Sequence, residues 1–289
     1  MSSTRNIKQR IKNVSSVEQI IRAMDMVAST KLVRARAQLE GVRPIYNELK
    51  RIAQEVGNNE KAMSNIFYEE KDAKSSLYII LTGNRGLAGA YNSNICKKVL
   101  EHMNHGKNEK LIIAGSKGYE FFAKHDKNIV HSIFDVPDDS VYYGTENLAN
   151  KAIELYLSGE IGEVYIAYTH FENVLTHIPI VEKVLPIEVK ENDDLKASNS
   201  EYEPDVEVFI NNLIPLYLHM NIFRTFSESH TSEQAARMVN MDAAGKNAEE
   251  ILEDLNRLYN RQRQASITQE LNEIVGSASV LNKGGSDER

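Results

Sequence analysis

The sequence predicts an α/β protein in which a long antiparallel two-helix coiled coil is joined to a compact α/β domain. Three observations predict this fold. Apolar residues recur every three or four positions at both ends of the chain, as they do on one face of a helix. The middle of the chain alternates short β-rich runs with helical stretches. The 289 residues include only 15 glycines and six prolines, so few residues would interrupt a long helix.

The first apolar stripe predicts an N-terminal helix over about residues 5–56, within a first domain of residues 1–56. Such a helix is about 75–80 Å long at 1.5 Å per residue. Pro44 lacks an amide hydrogen, so we expect it to bend the helix or split it near Val42. Residues 57–74 are interpreted as a connector. The stripe consists of Ile7, Ile11, Val14, Ile21, Met24, Ala28, Leu32, Ala35, Leu39, Val42, Tyr46, Leu49, Ala53 and Val56.

Residues 75–190 are predicted to form the α/β domain. Five β-rich apolar runs alternate there with three helical stretches, an order typical of a mainly parallel, Rossmann-like sheet with helices on its faces. The runs begin at residues 77, 111, 129, 164 and 178, and the helical stretches cover about 92–105, 116–124 and 143–158. Residues 191–206 are rich in acidic side chains and are interpreted as a linker that is mobile or lies at the surface.

The second apolar stripe predicts a C-terminal helix over residues 207–289. Asp205, after Pro204, has the chemistry of a residue that starts a helix. The hydroxyl side chains within residues 229–232 are expected to loosen the middle of this helix. Neither terminal helix can bury its stripe alone, and each offers the other a matching stripe. We therefore expect an antiparallel pair with both chain termini near one tip.

Charge is unevenly distributed, although the whole chain has a formal net charge of −7. Residues 1–56 hold 11 basic and five acidic side chains. Such a basic end can bind nucleic acid, an anionic membrane or an acidic protein surface, and charge alone does not choose among them. No stretch has the roughly 20 apolar residues that a membrane-spanning helix needs. The N-terminus is interpreted as mature protein, because its amphipathic pattern runs directly into the first helix.

The glycine-rich turn at residues 82–92 lies between a strand and a helix, where phosphate loops occur. Its spacing fits neither G-x-x-x-x-G-K-[ST] nor G-x-G-x-x-G, so a tight turn with close helix–strand packing is favoured. His102 and His105 lie one helical turn apart, but no third ligand is close in sequence. Cys96, the single cysteine, lacks the basic or histidine neighbour that marks a nucleophile. We expect no catalytic residue, no metal site and no cofactor.

Four segments resemble the gamma subunit of bacterial F-type ATP synthases. The most specific are residues 232–243, Ser-Glu-Gln-Ala-Ala-Arg-Met-Val-Asn-Met-Asp-Ala, and residues 263–275, Arg-Gln-Ala-Ser-Ile-Thr-Gln-Glu-Leu-Asn-Glu-Ile-Val. Residues 20–31 and 43–46 resemble the first helix of that family, and the resemblance is collinear over the chain. It disfavours two alternatives: a nucleotide-dependent enzyme that uses the turn at 83–89, and a generic coiled-coil adaptor.

The resemblance implies a central rotor shaft that transmits torque between the ion-driven c-ring in the membrane and a catalytic head of three alpha and three beta subunits. In that family the catalytic sites lie on the beta subunits, so this chain would have no active site. The implied partners also include the epsilon subunit and exclude nucleic acid. The implied location is the cytoplasmic face of the bacterial plasma membrane, reached only through the complex. The paired cysteines of chloroplast forms have no counterpart here, so we expect no thiol regulation.

The resemblance also assigns contacts to single residues. Arg263, Gln264 and Thr268 match the catch contact that the family makes with a loop of the beta subunit. A guanidinium, an amide and a hydroxyl are directional groups that can pair with a loop at one rotational angle and release it at another. Tyr202 and Glu203 match the foot of the shaft, near epsilon and the c-ring.

Three residues of the first helix match further contacts with the beta subunit. Met24 matches a methionine that faces an acidic lever segment of beta, and Lys31 and Arg34 match basic positions nearby. A neutral, flexible methionine lets that lever slide past. The glycine-rich turn departs from the family's usual Ser-Asp-Arg-Gly-Leu-Cys-Gly-Gly-Phe-Asn, because the acid, the thiol, one glycine and the phenylalanine are replaced by Asn84, Ala88, Ala90 and Tyr91.

Overall fold

A computed structural model describes residues 2–69, 75–103, 108–136, 141–189, 203 and 205–284, without the side chains of residues 2, 3, 60, 61 and 276–284. Two long helices flank a five-stranded sheet with shorter helices between its strands, which confirms the predicted fold class. The elements in chain order are α1 (Ser2–Gly57), α2 (Glu60–Met63), β1 (Ser75–Leu81), α3 (Tyr91–His102), β2 (Asn108–Ala114), α4 (Ser116–Ala123), β3 (Asn128–Ile133), α5 (Val141–Leu157), β4 (Glu163–Phe171), β5 (His177–Leu185) and α6 (Val206–Gly284).

Helix α1 is continuous over 56 residues and contains Pro44, so of the two expected outcomes, a bend or a split near Val42, the split does not occur. Val42 and Tyr46, on either side of the proline, are both 6% exposed. Burial of these neighbours holds the turns before and after Pro44 against the rest of the protein. This packing offsets the loss of one backbone hydrogen bond.

Helix α6 runs for 79 residues and begins directly after Asp205. The Asp205 side chain accepts a hydrogen bond from the Glu207 amide at 2.7 Å, which is the contact of an N-cap residue. The hydroxyl groups that were expected to loosen the middle of this helix do not interrupt it. The Thr231 hydroxyl donates to the Ser227 carbonyl at 2.7 Å, and both residues are buried. A hydroxyl group that donates to the carbonyl one turn earlier finds its hydrogen-bond partner within the helix, so the helix need not be interrupted.

The sheet has the strand order β3-β2-β1-β4-β5. Strands β3, β2, β1 and β4 pair in parallel, and β5 adds an antiparallel edge. All seven residues of the central strand β1 are buried. Because side chains alternate along a strand, Tyr78 and Ile80 pack with α3 and α4, whereas Leu77 and Ile79 pack with α5 and the long helices. Helices therefore cover both faces of the sheet.

The chain forms two compact units. Residues up to Met26 join those from Met241 onward, and Val27–Asn240 form the other unit. In the first unit α1 and α6 run antiparallel, with Ile21 beside Gly245 and an ion pair between Arg22 and Glu249. Among the described residues, no helix contains a stretch long and apolar enough to cross a membrane.

Candidate partner-contact residues and the buried face of the C-terminal helix

The three residues matched to the catch contact lie on the part of α6 that belongs to the first unit. Arg263, Gln264 and Thr268 are all exposed. The Thr268 hydroxyl donates to the Gln264 carbonyl at 3.0 Å within the helix. Arg263 has no ion pair with any described residue, so its guanidinium keeps its donors available. The structure thus presents these polar side chains at the surface of α6.

The other residues matched to contacts are spread over the chain. Met24 is half-buried in the first unit, whereas Lys31 is half-buried and Arg34 exposed in the second. Glu203 is exposed. Tyr202 lies outside the described residues, as does most of the acidic segment predicted for residues 191–206. Met24 therefore belongs to a different compact unit from Lys31 and Arg34.

Residues 232–237, which begin one of the two segments that carry the family resemblance most specifically, are mostly buried. Glu233, Arg237 and Asn240 of that segment lie against the glycine-rich turn. A Cβ atom at Gly83 would be 2.6 Å from Oε1 of Glu233, and one at Gly89, where φ is +56°, would be 2.8 Å from Nδ2 of Asn240. Arg237 of the same face points Nη2 at the Gly86 carbonyl, 3.4 Å away. The turn is therefore packed closely against α6, whereas the sequence predicted close packing between the strand and the helix that flank the turn.

Strand β4 ends against the same helix. The Thr169 amide donates to Oγ of Ser229 at 3.0 Å, and the Ser232 hydroxyl donates to the Thr169 carbonyl at 3.1 Å. Tyr91, at the start of α3, donates its hydroxyl proton to the Ser229 carbonyl at 2.8 Å. Strand β1 pairs with β4 only as far as Ala167, so the helix serines supply the hydrogen bonds that a neighbouring strand would supply.

Charged residues are also buried on α6, about two turns before Ser232. We call Arg224, Glu228, Glu182, His170 and Arg43 the Arg224–Glu228 cluster. Arg224 donates through Nη2 to Oε1 of Glu182 at 3.0 Å. His170 contacts Oε2 of Glu228 through Nδ1 at 2.6 Å, and Nη2 of Arg43 lies 3.4 Å from Oε1 of Glu228. Burial alone would lower the pKa of Arg224, but attraction to its neighbours outweighs that effect and the pKa is raised.

The sequence alone does not single out this cluster. Its only signal is that the apolar stripe of α6 lapses between Phe223 and Ala235, where Arg224 and Glu228 are 7% and 2% exposed. Buried charges must be paired, because an unpaired charge in a protein interior is strongly unfavourable. Where polar residues replace apolar ones on the buried face of a helix, they therefore predict polar partners elsewhere in the chain.

The histidine and cysteine side chains that the sequence offered as candidates for chemistry take part in packing and hydrogen bonding within the fold. Nδ1 of His102 lies 3.1 Å from the Tyr78 hydroxyl, and His105 is outside the described residues. Cys96 is 1% exposed, and burial raises the pKa of its thiol to about 12. No group of described histidine, cysteine, aspartate and glutamate side chains is arranged to hold a metal ion.

A groove of about 280 Å³ lies between the glycine-rich turn, the β4–β5 pair and α6. Ala88, Thr169, His177 and Val239 are among its lining residues, and no lining side chain is an acid, a lysine or an arginine. Burial lowers the pKa of His177 below its usual value, because the charged imidazolium loses hydration there. The groove therefore lacks the fixed cations that would hold a phosphate.

Comparison with known proteins identifies the family. The sequence model of the family described as ATP synthase matches residues 3–281. The ATP synthase gamma chain of Ruminiclostridium cellulolyticum is 40% identical, with 97% of this chain and 99% of that protein covered. Two solved structures of the Euglena gracilis mitochondrial ATP synthase have the same fold. A chain of its rotor in rotational state 1 matches with a TM-score of 0.67 at 17% identity, covering 92% of this chain and 99% of that one. A chain of its OSCP/F1/c-ring assembly in rotational state 3 matches with a TM-score of 0.69 at 18% identity, covering 98% and 96%. On this evidence, the chain belongs to the family of ATP synthase gamma chains.

Proposed function

We propose that this chain is the central rotor shaft of an F-type ATP synthase. It transmits torque between an ion-driven c-ring and a catalytic alpha–beta head, during either synthesis or hydrolysis of ATP. The observation that carries this proposal is the match to a gamma chain over nearly the full length of both proteins. The antiparallel pair formed by α1 and α6 in the first unit supplies the long, stiff element that such a shaft needs.

The catalytic chemistry then belongs to the beta subunits, and this chain sets the order in which their sites open and close. Arg263, Gln264 and Thr268 act as a directional catch for one beta subunit at a time. Their exposure supports this role, because groups that engage and release a partner must reach solvent between contacts. Charge-assisted hydrogen bonds from Arg263 are short and angle-dependent, so a rotation of the shaft breaks them.

The remaining partners follow from the same proposal. Three alpha and three beta subunits surround the helix pair, with Met24, Lys31 and Arg34 facing beta. Epsilon and the c-ring bind near Tyr202 and Glu203. The complex is peripheral to the cytoplasmic face of a bacterial plasma membrane, which this chain reaches only through the c-ring.

The test is reconstitution with matching alpha and beta subunits. We expect the chain alone to be inert, and the mixture to form a complex with one copy of this chain per three alpha–beta pairs and sustained multisite ATP hydrolysis. Native mass spectrometry gives the stoichiometry, and a coupled assay gives the turnover. Failure of the chain to enter the complex or to change its turnover would refute the proposal and favour a coiled-coil adaptor.

The catch residues are tested in the same complex. We expect Arg263→Ala and Gln264→Ala to lower turnover without loss of assembly, because each removes a donor to beta. Gln269→Ala is the matched control. Gln269 is also exposed on α6, and its amide donates only to Glu273 one turn away, at 3.0 Å. At about 100° per residue it faces roughly 140° away from Gln264. Equal effects of Gln264→Ala and Gln269→Ala would refute a specific catch.

A further inference from the structure

One arginine of α6 contacts three other elements of the second unit. Arg224 donates to Glu182 on β5 and, within α6, to Oδ1 of Asn221 at 2.8 Å. Its Nη1 lies 3.4 Å from the Tyr168 hydroxyl on β4. Its guanidinium carbon stands 4.3 Å from the ring centroid of Tyr46 on α1, a cation–π distance. A single side chain therefore joins both long helices to the antiparallel edge of the sheet.

Glu228, one turn further along α6, repeats this arrangement. Its side chain is 3% exposed and lies between His170 of β4, Arg43 of α1 and Arg224. Two oppositely charged residues on one face of α6 thus hold α1, β4 and β5. The Tyr168 hydroxyl closes the set by donating to Oε2 of Glu182 at 3.2 Å.

Such contacts resist sliding in a way that apolar packing does not. The hydrophobic effect depends on area and is non-directional, so two apolar faces can shift while most of their area stays buried. A hydrogen bond weakens steeply when its angle and length change. The Arg224 guanidinium contacts Glu182 and Tyr168 of the sheet and the ring of Tyr46, so it loses several contacts at once when α6 turns relative to the sheet.

We propose that the Arg224–Glu228 cluster is the torque-bearing attachment between α6 and the α/β sheet, with Arg224 and Glu228 as positioning residues. The inference rests on the proposed function, since only a rotor carries torque. In a working complex, the membrane sector exerts a load on the second unit, which contains the sheet. The catalytic head exerts its force on the antiparallel pair of helices in the first unit. The cluster keeps the sheet turning with α6 under that load.

The experiment separates hydrolysis without load from pumping against load. Complete synthase containing Arg224→Met is reconstituted into vesicles. ATP hydrolysis is measured with an ionophore present, and ATP-driven membrane potential is measured without it by a voltage-sensitive dye, which responds to either coupling ion. We expect hydrolysis without load to match the wild type and the potential reached per ATP to fall. A defect of folding or assembly would lower both in proportion.

Two further variants complete the design. Arg51→Met is the matched control, since Arg51 pairs with Glu48 and Glu55 inside α1 alone, and it should leave both readouts unchanged. If the synthase does not assemble with Arg224→Met, the same two readouts are measured with the double variant Arg224→Met/Glu182→Met. Replacing both partners of a buried pair by apolar residues is often tolerated. Wild-type potential in an assembled cluster variant, or proportional loss of both readouts, overturns the inference. A wild-type chain that never enters the complex refutes the proposed function instead.

Discussion

At the scale of single residues, burial controls the chemistry of Cys96. The thiol is packed among Ile95, Val99 and Phe122 on the α3 side of the sheet. Its pKa of about 12 leaves about one thiol in 10,000 ionised at pH 8. Only the thiolate reacts with alkylating reagents. We expect iodoacetamide to leave Cys96 unmodified in the native protein at pH 8 and to modify it fully in urea, as read by mass spectrometry. Rapid labelling of the native protein would contradict this burial.

His177 makes stability depend on pH. Its pKa is below the ordinary 6.5 in the folded chain, because burial disfavours the charged ring. Between those two pKa values the unfolded chain binds more protons than the folded one, so the free energy of unfolding falls as pH drops below 6.5. Above that range both states are neutral at this position and the effect vanishes. We expect His177→Gln to reduce the loss of stability below pH 6.5, as measured by urea denaturation at several pH values. Identical pH profiles for wild type and variant would contradict this.

At the scale of elements, the turn from β2 into α4 depends on Gly115. Its φ is +103°, and an added Cβ would meet the Thr82 carbonyl oxygen at 2.1 Å. Gly159 also has a positive φ, +77°, but an added Cβ there would meet nothing within 4 Å. We expect Gly115→Ala to cost about 3 kcal/mol or more, from backbone strain plus overlap. Gly159→Ala should cost only the strain, about 1 kcal/mol. Denaturant unfolding of both variants tests this difference, and equal losses would refute the overlap.

The same scale shows what the sequence can and cannot predict. The stripes predict α1 and α6 to within a few residues, because each helix buries one face over most of its length. Pro44 does not split α1, because the buried residues on both sides of the proline hold the two turns against the protein, and a rule for an isolated helix ignores that burial. The buried pairing of Arg224 and Glu228 is not predictable from periodicity, because their partners Glu182 and His170 lie 42 and 58 residues away. Contacts with a beta subunit stay a prediction, because they depend on a surface that this chain does not contain.

At the scale of the whole molecule, the helix α6 has two different surroundings. Its residues 221–237 are mostly buried and contact the sheet and the glycine-rich turn through polar groups. Its residues 263–275 are mostly exposed, apolar side chains such as Leu271 and Val275 included. Contiguous exposed apolar patches often mark sites of protein–protein interaction. The division agrees with the proposed function: one segment fixes the helix to its own sheet, and the other is left for partner subunits.

The sharpest prediction for the assembled rotor concerns Met24. This side chain is half-buried on α1 and uncharged. In the proposed complex it faces an acidic segment of beta, so Met24→Lys places an ammonium group on a long flexible stem beside carboxylates. The new ion pair holds beta through angles at which it should release. We expect fewer ions pumped per ATP hydrolysed, measured in vesicles as the ratio of the two rates.

Met24→Leu keeps the size without the charge and should retain the wild-type ratio. Added salt should partly restore coupling in the lysine variant, because salt screens an exposed ion pair. A Met24→Lys complex that pumps with the wild-type ratio at low salt would refute the contact.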